Sequence, residues 1–287
     1  DSDLKEKPAI ITVLLTTLLS LNSFGPYFNV SAASVFAIRR VPEDYPTIQA
    51  AINAANSGDT IQVAAGTYPE SMVVNKSVTL KGDNRASIIT GKAAAPRIID
   101  VTVSNVQITG FTIQSDGTQH GIHVESPTAQ TITGLTVTNN AIRTTYHGVY
   151  ISFCTSASIT NNTLNSNYYG IRLHDSDYNT ITNNEINESR YYGINLYARS
   201  QFNEITSNAL AKNKYSILLE YSNNNTMYLN TIKSSTEYAI RLSYSSGNLI
   251  KGNNIMNNKY GAVIWNCSGN TFYYNNFIDN TNQVYHY

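Results

Sequence analysis

Arginine, histidine and tyrosine residues recur in this chain at a spacing that could bring them onto one surface. His174, Tyr197 and Glu220 follow one another at a constant interval, and Arg172 precedes Arg241 by three such intervals. An arginine can bind a carboxylate through two parallel hydrogen bonds, and a histidine or tyrosine can take or give a proton. Arg172, His174, Tyr197 and Arg241 are therefore the candidate catalytic residues, for proton transfer on an anionic substrate.

The same interval runs through the second half of the chain, so these residues belong to a repeat. A small residue marks each unit, and apolar residues stand one and three positions after it. A fixed period of this length is typical of a solenoid, whose stacked units together bury the apolar side that one unit cannot bury alone. The marker positions are Gly148, Gly170, Gly193, Ser216, Ala239 and Gly261.

Within each unit the apolar residues alternate, as they do in a β-strand and not in a helix. A unit of this length made of strands predicts one coil of a parallel β-helix, in which equivalent residues stack roughly 4.8 Å apart. An asparagine recurs at a corner of each unit, where it could adopt unusual backbone angles and bond to the asparagines above and below. This structural ladder is Asn162, Asn184, Asn208, Asn230, Asn253 and Asn275, and a second column is Asn179, Asn203, Asn225, Asn248 and Asn270.

Residues two and four positions after the marker should point outward, because those one and three positions after it point inward. This parity places Arg172, His174, Tyr197, Glu220 and Arg241 on one surface within three coils. The alternative is that the outer positions of a β-helix are simply polar. The outward residues that could contact a ligand further along this surface are Glu220, Tyr150 and Trp265.

Two columns of aromatic residues precede the marker. Alternation predicts that the first column points inward or lies at a corner as a stacked ladder, and a more exposed neighbouring column could stack on sugar rings. A plain tyrosine-rich surface explains the second column equally well. The first column is His147, Tyr169, Tyr192, Tyr215, Tyr238 and Tyr260, and the second is Tyr146, Tyr168 and Tyr191.

Composition narrows the classes of partner. Charged residues make up 13% of the chain, and 19 Lys and Arg balance 19 Asp and Glu, so there is no electrostatic reason to expect nucleic acid as a partner. Cys154 and Cys267 fall in one column five coils apart, which predicts a separation of roughly 24 Å, too far for a disulfide. Both are predicted to be buried free thiols.

The histidines give a weak metal signal. His120 and His123 are close in sequence, and His147 could sit one coil above them. Histidine is a common ligand of copper and other transition metals. Histidines scattered over loops are the preferred interpretation, so no metal and no cofactor is predicted.

The ends of the chain suggest processing and capping. Residues 1–33 have the pattern of a secretory signal peptide, with a retained membrane anchor as the alternative, and no span is expected in the mature chain. Residues 34–287 are then a single domain whose one helix, residues 47–56, is amphipathic and caps the first coil. The chain stops within a repeat, so we expect a truncated C-terminus, or an end covered by a partner or by self-association.

Residues 41–84, read with the later coils, resemble a known family. Residues 41–84 are similar to the N-terminal segment of pectin-lyase-like proteins, and the later coils resemble the repeats of the NosD-like family, in secreted surface proteins of archaeal type. The resemblance implies an all-β, right-handed parallel β-helix of about ten coils. It also implies that sugar binds along the outer face of one sheet. The matching motifs are architectural, and a fold does not by itself specify chemistry.

Three functions remain open. The leading hypothesis is a secreted or cell-surface protein that binds polysaccharide or glycoprotein glycans, or builds surface structure, without being an enzyme. The second is a polysaccharide lyase or C5-epimerase acting on uronate-containing glycans, although Leu173, His174 and Asp175 replace the Asp-Pro-His motif of epimerase relatives. The third, implied by family naming alone, is an accessory factor for maturation of a copper enzyme.

Overall fold

The computed structural model describes residues 36–128 and 130–286, which form a parallel β-solenoid with one short helix. Three long sheets run along the solenoid, and each regular coil contributes one strand to each sheet. This confirms the parallel β-helix that the repeat predicts. The described strands number eleven in one sheet and ten in each of the other two, against about ten coils expected. The predicted signal peptide, residues 1–33, lies outside the described residues.

The three sheets are named A, B and C in the order in which their first strands occur along the chain. Sheet A contains β1 (Ile38–Val41), β2 (Thr60–Val63), β5 (Thr79–Gly82), β8 (Gln107–Thr109), β12 (Thr136–Thr138), β16 (Ser158–Thr160), β19 (Thr180–Thr182), β22 (Glu204–Thr206), β25 (Thr226–Tyr228), β28 (Leu249–Lys251) and β31 (Thr271–Tyr273). Sheet B contains β3 (Gly66–Tyr68), β6 (Ser87–Ile89), β9 (Phe111–Gln114), β13 (Ala141–Arg143), β17 (Thr163–Asn165), β20 (Glu185–Asn187), β23 (Ala209–Ala211), β26 (Thr231–Lys233), β29 (Asn254–Met256) and β32 (Asn276–Ile278). Sheet C contains β4 (Met72–Val74), β7 (Arg97–Val101), β10 (His120–Val124), β14 (His147–Ser152), β18 (Tyr169–His174), β21 (Tyr192–Tyr197), β24 (Tyr215–Glu220), β27 (Tyr238–Ser243), β30 (Tyr260–Trp265) and β33 (Asn282–His286). A short pair, β11 (Ile132–Thr133) and β15 (Cys154–Thr155), stands apart.

The core is a continuous apolar column along the solenoid. Strand register stacks equivalent residues of successive coils, so Ile171 pairs with Ile194 and Leu173 with Leu196. All four are fully buried. Burying one such side chain contributes roughly 1.5–3 kcal/mol. The repeat of apolar residues one and three positions after the marker is therefore what holds the coils together.

The asparagines stack at the corners as hydrogen-bonded columns. Asn208 lies between sheets A and B, where its Oδ1 accepts from the backbone N of Asn184 at 2.9 Å and its Nδ2 donates to the carbonyl of Ile181 at 2.8 Å. The unusual backbone angles fall elsewhere than predicted. The residue before the ladder asparagine takes the left-handed conformation, as at Ser207 (φ 55°) and Leu229 (φ 56°).

A third corner column is not predicted from the sequence. It lies between sheets B and C and is fully or almost fully buried at every position. Serine alternates with asparagine over much of it, and Ser189 donates its backbone N–H to Oδ1 of Asn213 at 2.8 Å. The alternation hides the column from a search for one residue type. Its members are Asn167, Ser189, Asn213, Ser235, Asn258 and Asn280.

Both cysteines are free thiols, as the repeat predicts. Cys154 is buried, and burial raises the pKa of its thiol to about 12. Cys267 is only half-buried, in contrast to the expectation, and its thiol donates to the carbonyl of Trp265.

The helix α1 (Ile48–Ala54) lies within the predicted range of residues 47–56. Thr47 caps its N-terminus by accepting from the backbone N of Ala50, and Ile48, Ala51 and Ile52 are buried. The helix packs against β1, β2 and β4 at the first described coils. Within the described residues, no helix has the length and apolar character needed to cross a membrane.

Candidate functional site

The outer face of sheet C carries most of the candidate residues. Parallel register places Tyr150, Arg172 and Asn195 in one row, followed by Leu218 and Arg241. A second row beside it is Ser152, His174, Tyr197, Glu220, Ser243 and Trp265. These two rows are the ones that parity assigned to the outside.

The first aromatic column also lies on this face, which corrects the expectation that it points inward or sits at a corner. The Arg172 guanidinium carbon lies 5.2 Å from the ring centre of Tyr169, so both side chains share one surface. Regular alternation fails at the marker, where a side chain at Gly170 would collide with the carbonyl oxygen of Gly193 in the next coil. Tyr169, Tyr192 and the equivalent tyrosines are half-buried, with successive ring centres 5.2–5.6 Å apart.

Three of the four candidate catalytic residues meet around Tyr197. The ring of Tyr197 stacks on His174 with centres 5.6 Å apart and lies 5.2 Å from the Arg172 guanidinium. His174 Nδ1 is 3.3 Å from the hydroxyl of Ser152. Among the described residues, the buried Nε of Arg172 has no hydrogen-bond partner. A cation and an imidazole therefore flank a phenol on a partly exposed surface.

Arg241 does not join this group. Asn195 and Leu218 separate it from Arg172, and both are buried. The Arg241 guanidinium instead lies 5.3 Å from the ring of Trp265 and 5.5 Å from that of Tyr238, and its Nε donates to Ser243 Oγ at 3.0 Å. The candidate site therefore divides into two patches, and Glu220 stands between Tyr197 and Ser243 in the row that joins them.

The second tyrosine column borders sheet C at the corner with sheet B. Tyr146 stacks on Tyr168 with centres 5.3 Å apart, and Tyr168 stacks on Tyr191 at 5.6 Å, with ring planes within 20° of parallel. Tyr168 is 37% exposed, and Lys214 Nζ lies 5.3 Å from the ring centre of Tyr191. This column touches the first one, since the rings of Tyr191 and Tyr192 are 4.4 Å apart.

A histidine cluster at the N-terminal end of the same face contradicts the prediction of scattered loop histidines. His120 and His123 lie on β10 and His147 on β14. His147 Nδ1 is 3.0 Å from His120 Nδ1, and His123 Nδ1 is 3.0 Å from Asp100 Oδ1. The ring of Tyr150 stacks on His123 with centres 5.1 Å apart.

The coil that separates His120 from His147 is longer than the regular repeat. Val124 pairs with Ile151, which lies 27 residues later in the chain. Ile132 pairs with Cys154, which lies only 22 residues later. The extra residues lie in the connection between β10 and β11. Counting back at the regular step would therefore miss the pairing of His120 with His147.

Burial keeps two of these histidines neutral. Desolvation lowers the pKa of His147 to about 2 and that of His120 to about 4. Removal from water disfavours the charged imidazolium, and for His147 the neighbouring imidazoles and Arg172 add to the effect. The contact between the two Nδ1 atoms then needs one nitrogen to donate and the other to accept, which two neutral rings can supply.

Comparison with known families decides the family. The model of the periplasmic copper-binding protein NosD matches residues 52–235 and, shifted along the repeats, residues 104–287. The chain belongs to the NosD family. Two overlapping matches are the result expected when a repeat aligns in more than one register.

The family's description implies copper, but the side chains that the structure describes do not fit a copper site. Copper sites favour histidine, cysteine and methionine ligands, yet no three His, Cys, Asp or Glu side chains in residues 36–128 and 130–286 are placed to share a metal ion. In the histidine cluster, His147 and His123 are buried, and their Nδ1 atoms already form hydrogen bonds with His120 and Asp100. Met72 and Met227 lie in the core.

A curated relative is a cell surface glycoprotein of Methanothermus fervidus. It is 31% identical over 137 residues, which are 47% of this chain and 21% of the relative. The matched region is thus about a fifth of that protein's length.

Solved structures share the fold. The A-module of the mannuronan C-5 epimerase AlgE6 from Azotobacter vinelandii has a TM-score of 0.60 at 14% identity, covering 84% of this chain and 90% of that one. The tailspike protein 2 active domain of bacteriophage CBA120 has a TM-score of 0.59 at 16% identity, covering 78% and 39%. An alginate lyase of a Paenibacillus species has a TM-score of 0.54 at 13% identity, covering 87% and 99%. Identities this low establish a common fold and nothing about chemistry.

Proposed function

We propose that this NosD-family protein is an extracytoplasmic glycan-binding protein that holds a polysaccharide, or the glycan of a glycoprotein, along the outer face of sheet C. The observation that carries the proposal is the pair of touching tyrosine columns, in which the ring centres of successive coils lie 5.3–5.6 Å apart. A repeating ligand suits a surface whose side chains recur at the spacing of adjacent strands, roughly 4.8 Å.

The chemistry of the face suits a sugar. A pyranose ring has an apolar C–H face and a hydroxylated edge, and tyrosine offers a flat apolar ring with a polar tip. Lys214 beside Tyr191 and Arg172 beside Tyr169 place hydrogen-bond donors next to these rings. Arginine and lysine can only donate, so they suit hydroxyl and carboxylate oxygens. Arg172 and Tyr169 lie on β18, and Tyr191 and Lys214 stand directly before β21 and β24, so the stacked strands position all four side chains.

The proposed location has separate support. The curated relative is a cell surface protein, and the family description is of a periplasmic protein. Both places lie outside the cytoplasm, as does the destination of a chain with the signal-peptide pattern of residues 1–33.

The test is a glycan array followed by calorimetry on the ligand that binds. Replacing Tyr168 or Tyr191 with Ala should weaken binding about tenfold, the equivalent of about 1.4 kcal/mol. The matched control is Tyr228→Ala, which removes a half-buried tyrosine from the outer face of sheet A. Equal losses in all three variants, or no glycan bound by the wild type, would overturn the proposal.

A second candidate function rests on the grouping of Arg172, His174 and Tyr197. In a lyase of uronate-containing glycans, a base takes the C5 proton while the C4–O bond breaks, the C4–C5 double bond forms, and the leaving oxygen takes a proton. In a C5-epimerase, the proton returns to the opposite face of the sugar. Arg172 would bind the uronate carboxylate, and His174 and Tyr197 would exchange the protons.

Incubation with polyuronates in heavy water tests for lyase and epimerase activity and distinguishes both from binding alone. A lyase produces ultraviolet absorbance from the unsaturated uronate, and an epimerase incorporates deuterium at C5. Either product should disappear in His174→Ala and Tyr197→Phe and persist in Arg241→Met, which changes the separate patch. Binding without either product would leave the protein as a binding protein.

A further inference from the structure

A small depression lies at the corner between sheets B and C, next to the exposed tyrosine of the second column. It has a volume of about 150 Å³ and is bounded by the loop after β9, by the two corner residues Thr144 and Thr145, by Tyr168 and by Arg190. Its walls thus come from four successive coils. An aromatic ring, an arginine and a carboxylate, Asp116, all border it.

The wall opposite Tyr168 is held in place by reciprocal hydrogen bonds. Ser115 Oγ donates to the carbonyl of Thr144 at 3.0 Å, and Thr144 Oγ1 donates to the carbonyl of Ser115 at 2.8 Å. Within the loop, one oxygen of Asp116 accepts from both the backbone N and the hydroxyl of Thr118, at 3.0 and 2.6 Å. The loop therefore presents a fixed, ionised carboxylate to the depression, because these bonds lower the pKa of Asp116.

Arg190 reaches the depression because its coil contains one additional residue. Arg190 donates its backbone N–H to the carbonyl of Asn167, and the next residue, Tyr191, donates to that of Tyr168. In this coil two residues, Arg190 and Tyr191, therefore lie between the buried corner residue and the first residue of β21. In the preceding coil only Tyr168 lies between the corner residue and β18. Arg190 is exposed. Within residues 36–128 and 130–286, the structure gives its side chain no ion pair or hydrogen bond.

We propose that this depression is a subsite for one acidic sugar unit, a hexuronate, of the glycan that lies along the tyrosine columns. Arg190 pairs with the carboxylate through two parallel hydrogen bonds, the ring stacks against Tyr168, and Asp116 accepts from hydroxyl groups on the far side. This inference rests on the proposed glycan binding and adds the sugar class that the site selects. It explains why an arginine without an ion pair among the described residues stands beside an exposed tyrosine.

The test compares an acidic polysaccharide with its carboxyl-reduced form, which keeps every sugar ring and has a neutral hydroxymethyl group in place of each carboxylate. The wild-type chain should bind the acidic form about tenfold more tightly. In Arg190→Gln this preference should fall to about one, while binding of the reduced form stays within twofold. The matched control Arg40→Gln removes an exposed arginine from β1 on sheet A and should keep the full preference.

The outcomes distinguish the two proposals. If the wild type binds neither form, the proposed function fails and the subsite with it. If the wild type binds both forms equally, or if Arg190→Gln keeps the preference, the glycan-binding proposal stands and the hexuronate subsite is wrong.

Discussion

Buried asparagines are the side chains on which the regularity of this solenoid depends. Each amide acts in both directions along the stack: Asn208 accepts from Asn184 and donates to the Oδ1 of Asn230 at 3.1 Å. Its second N–H bonds to a backbone carbonyl, so a fully buried polar group keeps all its partners. Leaving a buried donor or acceptor without a partner costs about 1–3 kcal/mol.

Asn208→Ala should therefore lower the free energy of unfolding by about 2–4 kcal/mol, because it leaves the N–H of Asn184 and the carbonyl of Ile181 without their partners. A urea titration followed by circular dichroism measures this loss. Asn165→Ala is the matched control, since Asn165 is exposed on sheet B. A loss in Asn208→Ala no larger than that of an ordinary surface substitution, about 0.5 kcal/mol, would show that the column contributes little.

The neutral histidines predict acid sensitivity. Their folded pKa values, about 2 for His147 and about 4 for His120, lie below the ordinary value of 6.5. The unfolded chain thus binds more protons as the pH falls below 6.5, so stability that is complete above this pH is lost on acidification toward pH 4. Each histidine contributes a slope of about 1.4 kcal/mol per pH unit in that window.

His147→Phe should flatten this dependence, because it removes one titrating group and keeps a ring stacked on Tyr169. The measurement is the midpoint of thermal unfolding at several pH values from about 7 to about 4.5. His286→Phe, at an exposed position of β33, should keep the wild-type slope. An unchanged slope in His147→Phe would contradict the buried neutral state.

The capping helix protects the edge of sheet C as well as covering the core. Gln49 pairs its side-chain amide with the backbone of Val73 in β4, accepting from the N–H at 2.8 Å and donating to the carbonyl at 3.3 Å. Glu70 accepts from the first backbone N–H groups of the helix, and Lys76 donates to the carbonyls of Asn53 and Ala55 at the other end. Sheet edges with unpaired groups are sites of aggregation.

Gln49→Ala should expose the β4 edge and raise the aggregation rate, because the Val73 backbone groups lose their partners. Light scattering on a concentrated solution, with hydrogen exchange at Val73, measures both effects. Gln62→Ala is the control, since Gln62 is an exposed outward residue of β2. Aggregation at the wild-type rate would show that the Gln49 side chain is not needed and that the rest of the helix protects the β4 edge.

A solenoid distributes its stability unevenly because each coil contacts only its neighbours. Central coils are covered on both sides and have fully buried residues such as Ile205. In the last described coils, Phe272 and Phe277 are only half-buried, and all five residues of β33 are exposed. Local opening should therefore begin in these coils and spread toward the centre.

Hydrogen exchange followed by mass spectrometry should show weak protection in β31 to β33 and strong protection in β19 and β22. Ile205→Ala, which truncates a core residue at a cost of about 2–5 kcal/mol, should lower protection in several neighbouring coils. Phe272→Ala should affect only the last coils. Uniform protection along the chain would indicate one cooperative unit.

The fold could be predicted from the sequence because its period is a local property of the chain. Apolar residues one and three positions after each marker dictate strands that stack in register, and an amphipathic stretch near the N-terminal end of the solenoid dictates the capping helix. The same alternation also predicted that Arg172, His174 and Tyr197 lie on one face of a sheet. These positions lie on strands whose coils have nearly equal lengths.

Tertiary structure alone decided the contacts that depend on irregular lengths and on the path of the backbone at the corners. The close approach at Gly170 turns Tyr169 to the outer face, the longer connection after Val124 brings His120 beside His147, and one extra residue moves Arg190 next to Tyr168. A single added residue changes which way a side chain points. The period therefore specifies the scaffold, and its interruptions specify the surface on which a glycan would bind.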